Sequence, residues 1–549
     1  MKRIALLLSA ALLAGCAQLP TSVSVSKGPE LALPQNQEFS YYSPPGPVAD
    51  ATPAEIVSGF LNAGSAPQQN YAIAREYLSS QFAQNWQPNA GVLVRNGIPT
   101  INVTRDSLVT VAVPVGARVN DLGIYSTTPN DSSSLRFQLV QEGGQWRISR
   151  APNLTVVTAP VFNVVFKGYP IYFLDATRQT LVPDLRWFPS RISTGTSLVN
   201  ALLDGPSAWL APAVTSAIPE GTKLTVDAVR VVDGTALVDF DANALNANPA
   251  DRALLMSQLE ATLLQLLGVQ KVDVSINGNS QDLVPASLQQ LTISSPTALG
   301  EKGIFPLITG TTQAIGGTSQ VLEEFAPSDY DLSADGKTLI LTGQSGTTQL
   351  RLSEFSWEVV FTDPRNGLLA PQIDSHGFGW LIPSDPQQVP QVAKADGSLF
   401  ELQWNSLGTR TAFAVSPEGA RVAELIKIGE GYRLQVRPVI RDLEGLPKAL
   451  GDAEIVAEFS AAENSLSWDN LNALLVIDKS TGSLATVFSY PVLGPRSALP
   501  NTAIKARKAI SGYGNASRYL LSEENEVWAL NGRNWRKVSD LAYAISMQD

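Results

Sequence analysis

The strongest constraint on the fold is a short motif that recurs along the second half of the chain: serine, a variable residue, an acid, then glycine or asparagine. It reads Ser333-Ala334-Asp335-Gly336, Ser416-Pro417-Glu418-Gly419, Ser467-Trp468-Asp469-Asn470 and Ser522-Glu523-Glu524-Asn525, with Asp374-Ser375-His376-Gly377 as a weaker fifth copy. An apolar stretch follows each, at 338–341, 378–382, 422–426, 473–477 and 527–530. An acid at the third position accepts turn amides, and Gly or Asn at the fourth tolerates positive φ, so the motif is hairpin chemistry. The fourth positions lie 41, 42, 51 and 55 residues apart, close to the roughly 40–50 residues of a four-stranded propeller blade. Residues 303–549 are therefore expected to form an all-β propeller. Five blades are visible, and a sixth is expected from pairing the N-terminal strand of this region with the C-terminal one.

Composition then narrows the chemistry. The 549 residues are 44% hydrophobic and 16% charged, which describes a folded chain with room for about three domains. Fifty acids against 39 bases give a net charge of -11, which repels phosphate backbones and argues against nucleic-acid partners. The chain has one cysteine, Cys16, and one histidine, His376. A zinc site needs three or four ligands and a Ser-His-Asp relay needs a histidine beside its nucleophile. Carboxylate, lysine or serine mechanisms stay open. No catalytic, cofactor-binding or metal-binding motif is found, and a single cysteine forbids internal disulfides.

At the amino terminus, Lys2 and Arg3 precede an apolar run at 4–13, long enough for a signal h-region and too short for a bilayer span. The run closes with Leu13-Ala14-Gly15-Cys16, which resembles a bacterial lipobox. That resemblance implies a signal peptide at 1–15, cleavage before Cys16, and a diacylglycerol on the Cys16 thiol. The alternative is an ordinary secretory signal with Cys16 incidental. Residues 16–47 carry Pro20, Pro29, Pro34, Pro44, Pro45 and Pro47 without an amphipathic period, and are expected to act as a tether. No later run of about 20 apolar residues is present to span a bilayer. The expected location is the extracytoplasmic face of the cell membrane, held by lipid.

Residues 48–160 are expected to form an α+β domain. Thr52-Pro53-Ala54-Glu55 has the pattern of a capping box with proline at the first helical position, and a second helix is expected over 71–82. Strands are expected at 91–94, 101–103, 107–115, 135–142 and 145–149, the last two joined by Gly143-Gly144. The pattern resembles the NTF2-like cone fold, whose hollow often holds a ligand. Trp86 and Trp146 are expected in the core.

In residues 165–295, Thr196 is expected to cap a helix that stops at Gly205-Pro206. Strands at 224–232 and 236–240 are joined by Asp233-Gly234. A helix after Asp251 carries Leu255, Leu259, Leu263 and Leu266 on one face, and Gly268 ends it before a strand at 271–276. The pieces Leu202-Leu203-Asp204-Gly205-Pro206, Ile218-Pro219-Glu220-Gly221-Thr222, Val238-Asp239-Phe240, Glu260 with Thr262, and Val272-Asp273-Val274-Ser275-Ile276-Asn277-Gly278 resemble a GerMN domain of α/β type. Asp239 and Asp241 alternate on a strand and are the candidate paired carboxylates. A solvated face is the simpler reading, because calcium needs about six oxygen ligands and no EF-hand-like loop is present. Gly205 and Gly221 are expected as turn residues. His376 occupies the acid position of its turn and is expected to be a hairpin residue. Trp380 and Trp528, each three residues past the turn, are expected at matching core positions.

The order of lipobox, tether, α+β domain, GerMN-like domain and propeller resembles the LpqB family of actinobacterial lipoproteins over essentially the whole chain. The resemblance implies an accessory protein of the MtrA–MtrB two-component system that contacts the extracytoplasmic part of the sensor kinase MtrB and influences envelope homeostasis and division. It carries over no catalytic residue, and Cys16 alone is transferred, as the lipid attachment site. The reading from another class is an envelope hydrolase or glycan-binding protein using the propeller.

Overall fold

The structure, a computed structural model, describes residues 44–548 apart from 106, 308–312, 355 and 481–485. The signal run, Cys16 and nearly all of the tether lie outside the described residues.

The first helix, Pro53–Ala63, starts as its capping box requires: the Thr52 hydroxyl accepts from Glu55 N–H, and the Glu55 carboxylate accepts from Thr52 N–H at 2.8 Å. The single helix expected over 71–82 is instead two, Gln68–Glu76 and Ser80–Asn85. The break occurs because Tyr77 and Ser79 exchange backbone hydrogen bonds with Ile148, and Ser79 then caps the second helix. The helices cover a curled sheet ordered 145–150, 125–142, 108–120, 91–95 and 155–158, with 100–105 also on 108–120. Phe60, Trp86 and Phe137 pack together in this core. Trp86 is buried and Trp146 packs at its edge.

Strand Leu108–Asn120 alternates buried and half-buried residues along nearly its whole length, yet it serves two cores. Gly116 is skipped in the pairing with both neighbouring strands, and such a bulge turns the face of a strand over. Val109, Val111, Val113 and Val115 therefore face the helices. Beyond the bulge, Ala117 and Val119 join Val92 and Val94 on the opposite side, under helix Ala159–Val165 and Trp187.

The middle region pairs a hairpin, Phe166–Asp175 with Leu181–Pro189, with a sheet ordered 230–232, 235–240, 271–276, 279–281. Strands 235–240 and 271–276 run parallel, and Pro249–Leu263 is the helix between them. That helix begins before Asp251, capped by Asn248, and Leu266 lies past its end. Its buried polar residues bond to the hairpin: Gln258 donates to Tyr172 O, and the Thr262 hydroxyl accepts from Tyr172 N–H. Helix Thr194–Leu203 starts three residues earlier than a Thr196 cap requires, with Ser193 at the cap position, and Thr196 accepts instead from Val229 N–H. The strand expected over 224–232 is pared to Arg230–Val232. Asp233 and Gly234 form the turn, both at positive φ, as a two-residue hairpin loop requires.

Six antiparallel sheets make the propeller. Five are consecutive, at 329–363, 372–401, 409–459, 462–498 and 506–539. The sixth is composite: the C-terminal strand Ala542–Gln548 pairs with Ser295–Gly300, which pairs with Gly303–Pro306. Side chains staple the ring. Asp331 accepts from Ile373 N–H in the second blade and from Ser546 in the sixth, while Gln372 bonds Phe413 O and Val415 N–H in the third.

Two copies of the turn motif do not occupy the expected register. The turns at 333–336, 374–377 and 416–419 join the first and second strands of their blades. Ser467 to Asn470 instead ends a strand, and the turn comes at Leu471. Ser522 to Asn525 joins the second and third strands of the fifth blade, whose equivalent turn carries Gly514 at φ +69°. The uneven spacing of the last copies follows from this. Trp380 is fully buried in a second strand, but Trp528 lies half-buried in a third strand, so the two are not equivalent.

Candidate functional site

The proposed carboxylate pair is not assembled. Asp239 lies on its strand and accepts from the Ser275 hydroxyl and Gly278 N–H. Asp241 is one residue past the strand and caps a short helix by accepting from Asn243 N–H. Burial pushes the Asp239 carboxyl up, but bonds from Ser275, Gly278 and Thr225 outweigh it and hold the pKa below the usual range. Among the described residues, no group of three or more His, Cys, Asp or Glu side chains is arranged to hold a metal. Gly205 and Gly221 are turn residues at φ +89° and +80°.

The geometry concentrates where the domains meet, on the hairpin 166–189. On one side, Trp187 N–H donates to Gly123 O at 2.7 Å, and Arg186 Nη1 donates to Leu122 O at 2.9 Å. Gly123 has φ +78°, and a Cβ there would sit 2.8 Å from the Phe188 ring, so glycine is required by both backbone and contact. Arg186 is buried and pairs with Asp184 at 2.7 Å, while Asp184 also accepts from Ser207. A buried ion pair of this kind is tolerated because its remaining polar atoms are mostly bonded.

On the other side the hairpin meets the propeller through the turns that the repeat motif marked. Trp187 Nε1 donates to Leu493 O at 2.8 Å. Arg421, 1% exposed, pairs with Glu418, reaches Pro183 O and Leu471 O, and lies 4.6 Å from the Trp468 ring centroid. Ala420 belongs to the hydrophobic core of the middle domain. His376 sits in its turn as expected, but its Nε2 also lies 3.8 Å from Asp175 Oδ2 across the junction. Arg441 links the two turns by donating to Asp374 and Gly419 O. Sequence reasoning found these turns and missed that they dock a neighbouring domain.

A cleft of about 150 Å³ opens between the first domain and the hairpin. Trp187 and Phe188 wall it, Arg191 and Asn200 reach it from the middle domain, and Asp121 and Asp204 stand at it from opposite domains. Arg191 makes no ion pair or side-chain hydrogen bond among the described residues, and its Nε is buried without a partner. Of these residues only Asp204 falls in a motif of the sequence, the Leu202-Leu203-Asp204-Gly205-Pro206 piece, and nothing in that motif points to a cleft.

A GerMN-type domain clamped by one hairpin between an α+β domain and a six-bladed propeller defines the class. Family models match in the same order: the N-terminal domain of lipoprotein LpqB at 46–163, a sporulation and spore germination model at 170–282, and the LpqB β-propeller domain at 307–544. The chain belongs to the LpqB lipoprotein family. It is similar to lipoprotein LpqB of Cutibacterium acnes, at 27% identity over 79% of this chain and 78% of that one. It is also similar to that of Streptomyces avermitilis, at 25% identity over 96% and 95%. Among solved structures, the first GerMN domain of GerM from Bacillus subtilis is 22% identical, covers 23% of this chain and 94% of its own, and has a TM-score of 0.19. No described helix is long and apolar enough to cross a membrane.

Proposed function

We propose that the protein is a lipid-anchored, non-catalytic accessory regulator of an MtrB-like two-component sensor kinase, acting by contact with the sensor's extracytoplasmic domain in envelope homeostasis and cell division. The observation that carries this reading is the interlocking of three domains through one hairpin, which makes one large compact unit suited to protein contact. The side chains that first suggested chemistry agree with it: His376, Asp239 and Asp241 are engaged in turns, caps and a domain junction.

In this reading Cys16 carries the lipid, and about 30 residues of tether give a reach of roughly 30 Å above the membrane. Confinement to the same surface as the sensor raises effective concentration, so a weak contact is populated. Cross-linking in intact cells followed by affinity capture of the native lipoprotein is expected to recover the sensor. Cys16→Ala is expected to leave the membrane fraction or to keep its signal uncleaved. Absence of the sensor from cross-linked material, or membrane retention of a processed Cys16→Ala protein, would overturn the reading.

A further inference from the structure

The cleft between the first domain and the hairpin has the features of a ligand site rather than a packing defect. Arg191 is its sole lining cation, and it stands half-buried in a chain of net charge -11. A guanidinium in such a place normally meets a carboxylate, since desolvated charge is costly unless paired. Here burial lowers the Arg191 pKa, and the titratable group that acts on it is the phenol of Tyr71, itself pushed up to about 12 by burial and so uncharged.

The acids at the cleft, Asp121 and Asp204, are exposed. Asp121 and Asp204 form no salt bridge and no side-chain hydrogen bond among the described residues. The Asp204 pKa is raised by burial, with Asp121 adding to the rise, and the cation that relieves it is Arg186, not Arg191. Charges of opposite sign therefore line one cleft and, among the described residues, form no ion pair with each other. The rings of Trp187 and Phe188 and the amide of Asn200 line the same cleft. The volume, about 150 Å³, is below the usual range of roughly 300–1,000 Å³ for drug-sized ligands.

We propose that this cleft binds a small zwitterion with an apolar side chain, a free amino acid or the end of a short peptide, its carboxylate on Arg191, its ammonium toward Asp121 and Asp204, and its side chain against Trp187 and Phe188. Arginine suits the carboxylate because its planar fork bonds both oxygens. The inference stands apart from the proposed contact with a sensor kinase, and its test does not involve that partner.

Calorimetric titration of the full-length protein with L-leucine and L-phenylalanine tests it, with N-acetyl-L-leucine, L-leucinamide and inorganic phosphate as comparisons. Saturable binding of at least one free amino acid is expected, weakened about tenfold or more when either charged end is blocked. Arg191→Gln is expected to abolish binding, and Asp121→Asn, at an exposed position, to weaken it several-fold. No saturable binding of either amino acid at millimolar concentration would overturn the proposal. Equal binding by the Arg191→Gln protein with unchanged thermal midpoint would do the same. Phosphate binding that depends on Arg191 without amino-acid binding would replace it with a simple anion site.

Discussion

Replacing Asp175 with Asn probes the junction between the middle domain and the propeller at a buried acid that accepts four hydrogen bonds. Asp175 is 1% exposed. Its carboxylate accepts from the amides of Thr177, Gln179 and Thr180 and from the Thr177 hydroxyl, with His376 at 3.8 Å. Burial alone would push this carboxyl up, but the nearby His376 and hydrogen bonds from Thr177 and Thr180 more than offset it and bring the pKa from 3.8 to about 2. At 1.36 kcal/mol per pH unit, a carboxyl held that far below its unfolded value contributes roughly 2 kcal/mol. Because the folded value is the lower one, the contribution is complete above the unfolded pKa and fades as pH falls toward about 2.

Asn has the same shape without the charge, so Asp175→Asn should loosen the 175–180 loop by about 2 kcal/mol near neutral pH. That corresponds to roughly thirtyfold faster amide exchange at Thr177, Gln179 and Thr180. Local exchange is the right assay because a three-domain chain need not unfold in one step. The ratio of variant to native rates cancels the intrinsic pH dependence of exchange. It should be near thirty above about pH 5 and shrink steadily toward one as the pH drops below the unfolded pKa. A ratio that stays flat across that window would refute the assignment of the stabilisation to a buried charge.

Two further perturbations test the propeller. Deleting 542–549 removes the inner strand of the composite blade together with the bonds from Ser546 to Asp331 and from Gln548 to Ser333 O. Limited proteolysis should then cut the remaining blades readily, and native-like resistance would contradict ring closure by this strand. The Glu424 carboxylate, fully buried, accepts from Arg437, Gln435 and Trp404. Glu424→Gln leaves Arg437 largely buried without its counter-charge, and amide exchange in strand Arg421–Ile428 should report a local loss of about 3–5 kcal/mol. A loss under about 1 kcal/mol would show that the pair is better solvated than its burial indicates.

The parts legible in the sequence were those set by a few adjacent residues. Thr52 and Glu55 announced a capping box, Asp233-Gly234 a tight turn, and Gly336, Gly377 and Gly419 the turns of three blades. Where the readings slipped, a distant residue had intervened. Ile148 splits the helix expected over 71–82. Val229 engages Thr196, so a cap was misread. Ser522 to Asn525 has the right letters but joins a different pair of strands, since the same turn chemistry serves any hairpin.

What the chain's own order of residues determined is local and periodic: which segments alternate, where turns fall, how long a blade is, and that the last strand must find a partner far upstream. Only the tertiary structure decided which face each alternation serves, because one bulge at Gly116 sends Val115 and Val119 into different cores while their spacing stays even. It also decided that the blade turns dock a neighbour and that Arg191 stands without a counter-charge among the described residues. Both depend on distances between residues far apart in the chain, and Coulomb and hydrogen-bond energies follow distance in space, which no local pattern of letters encodes.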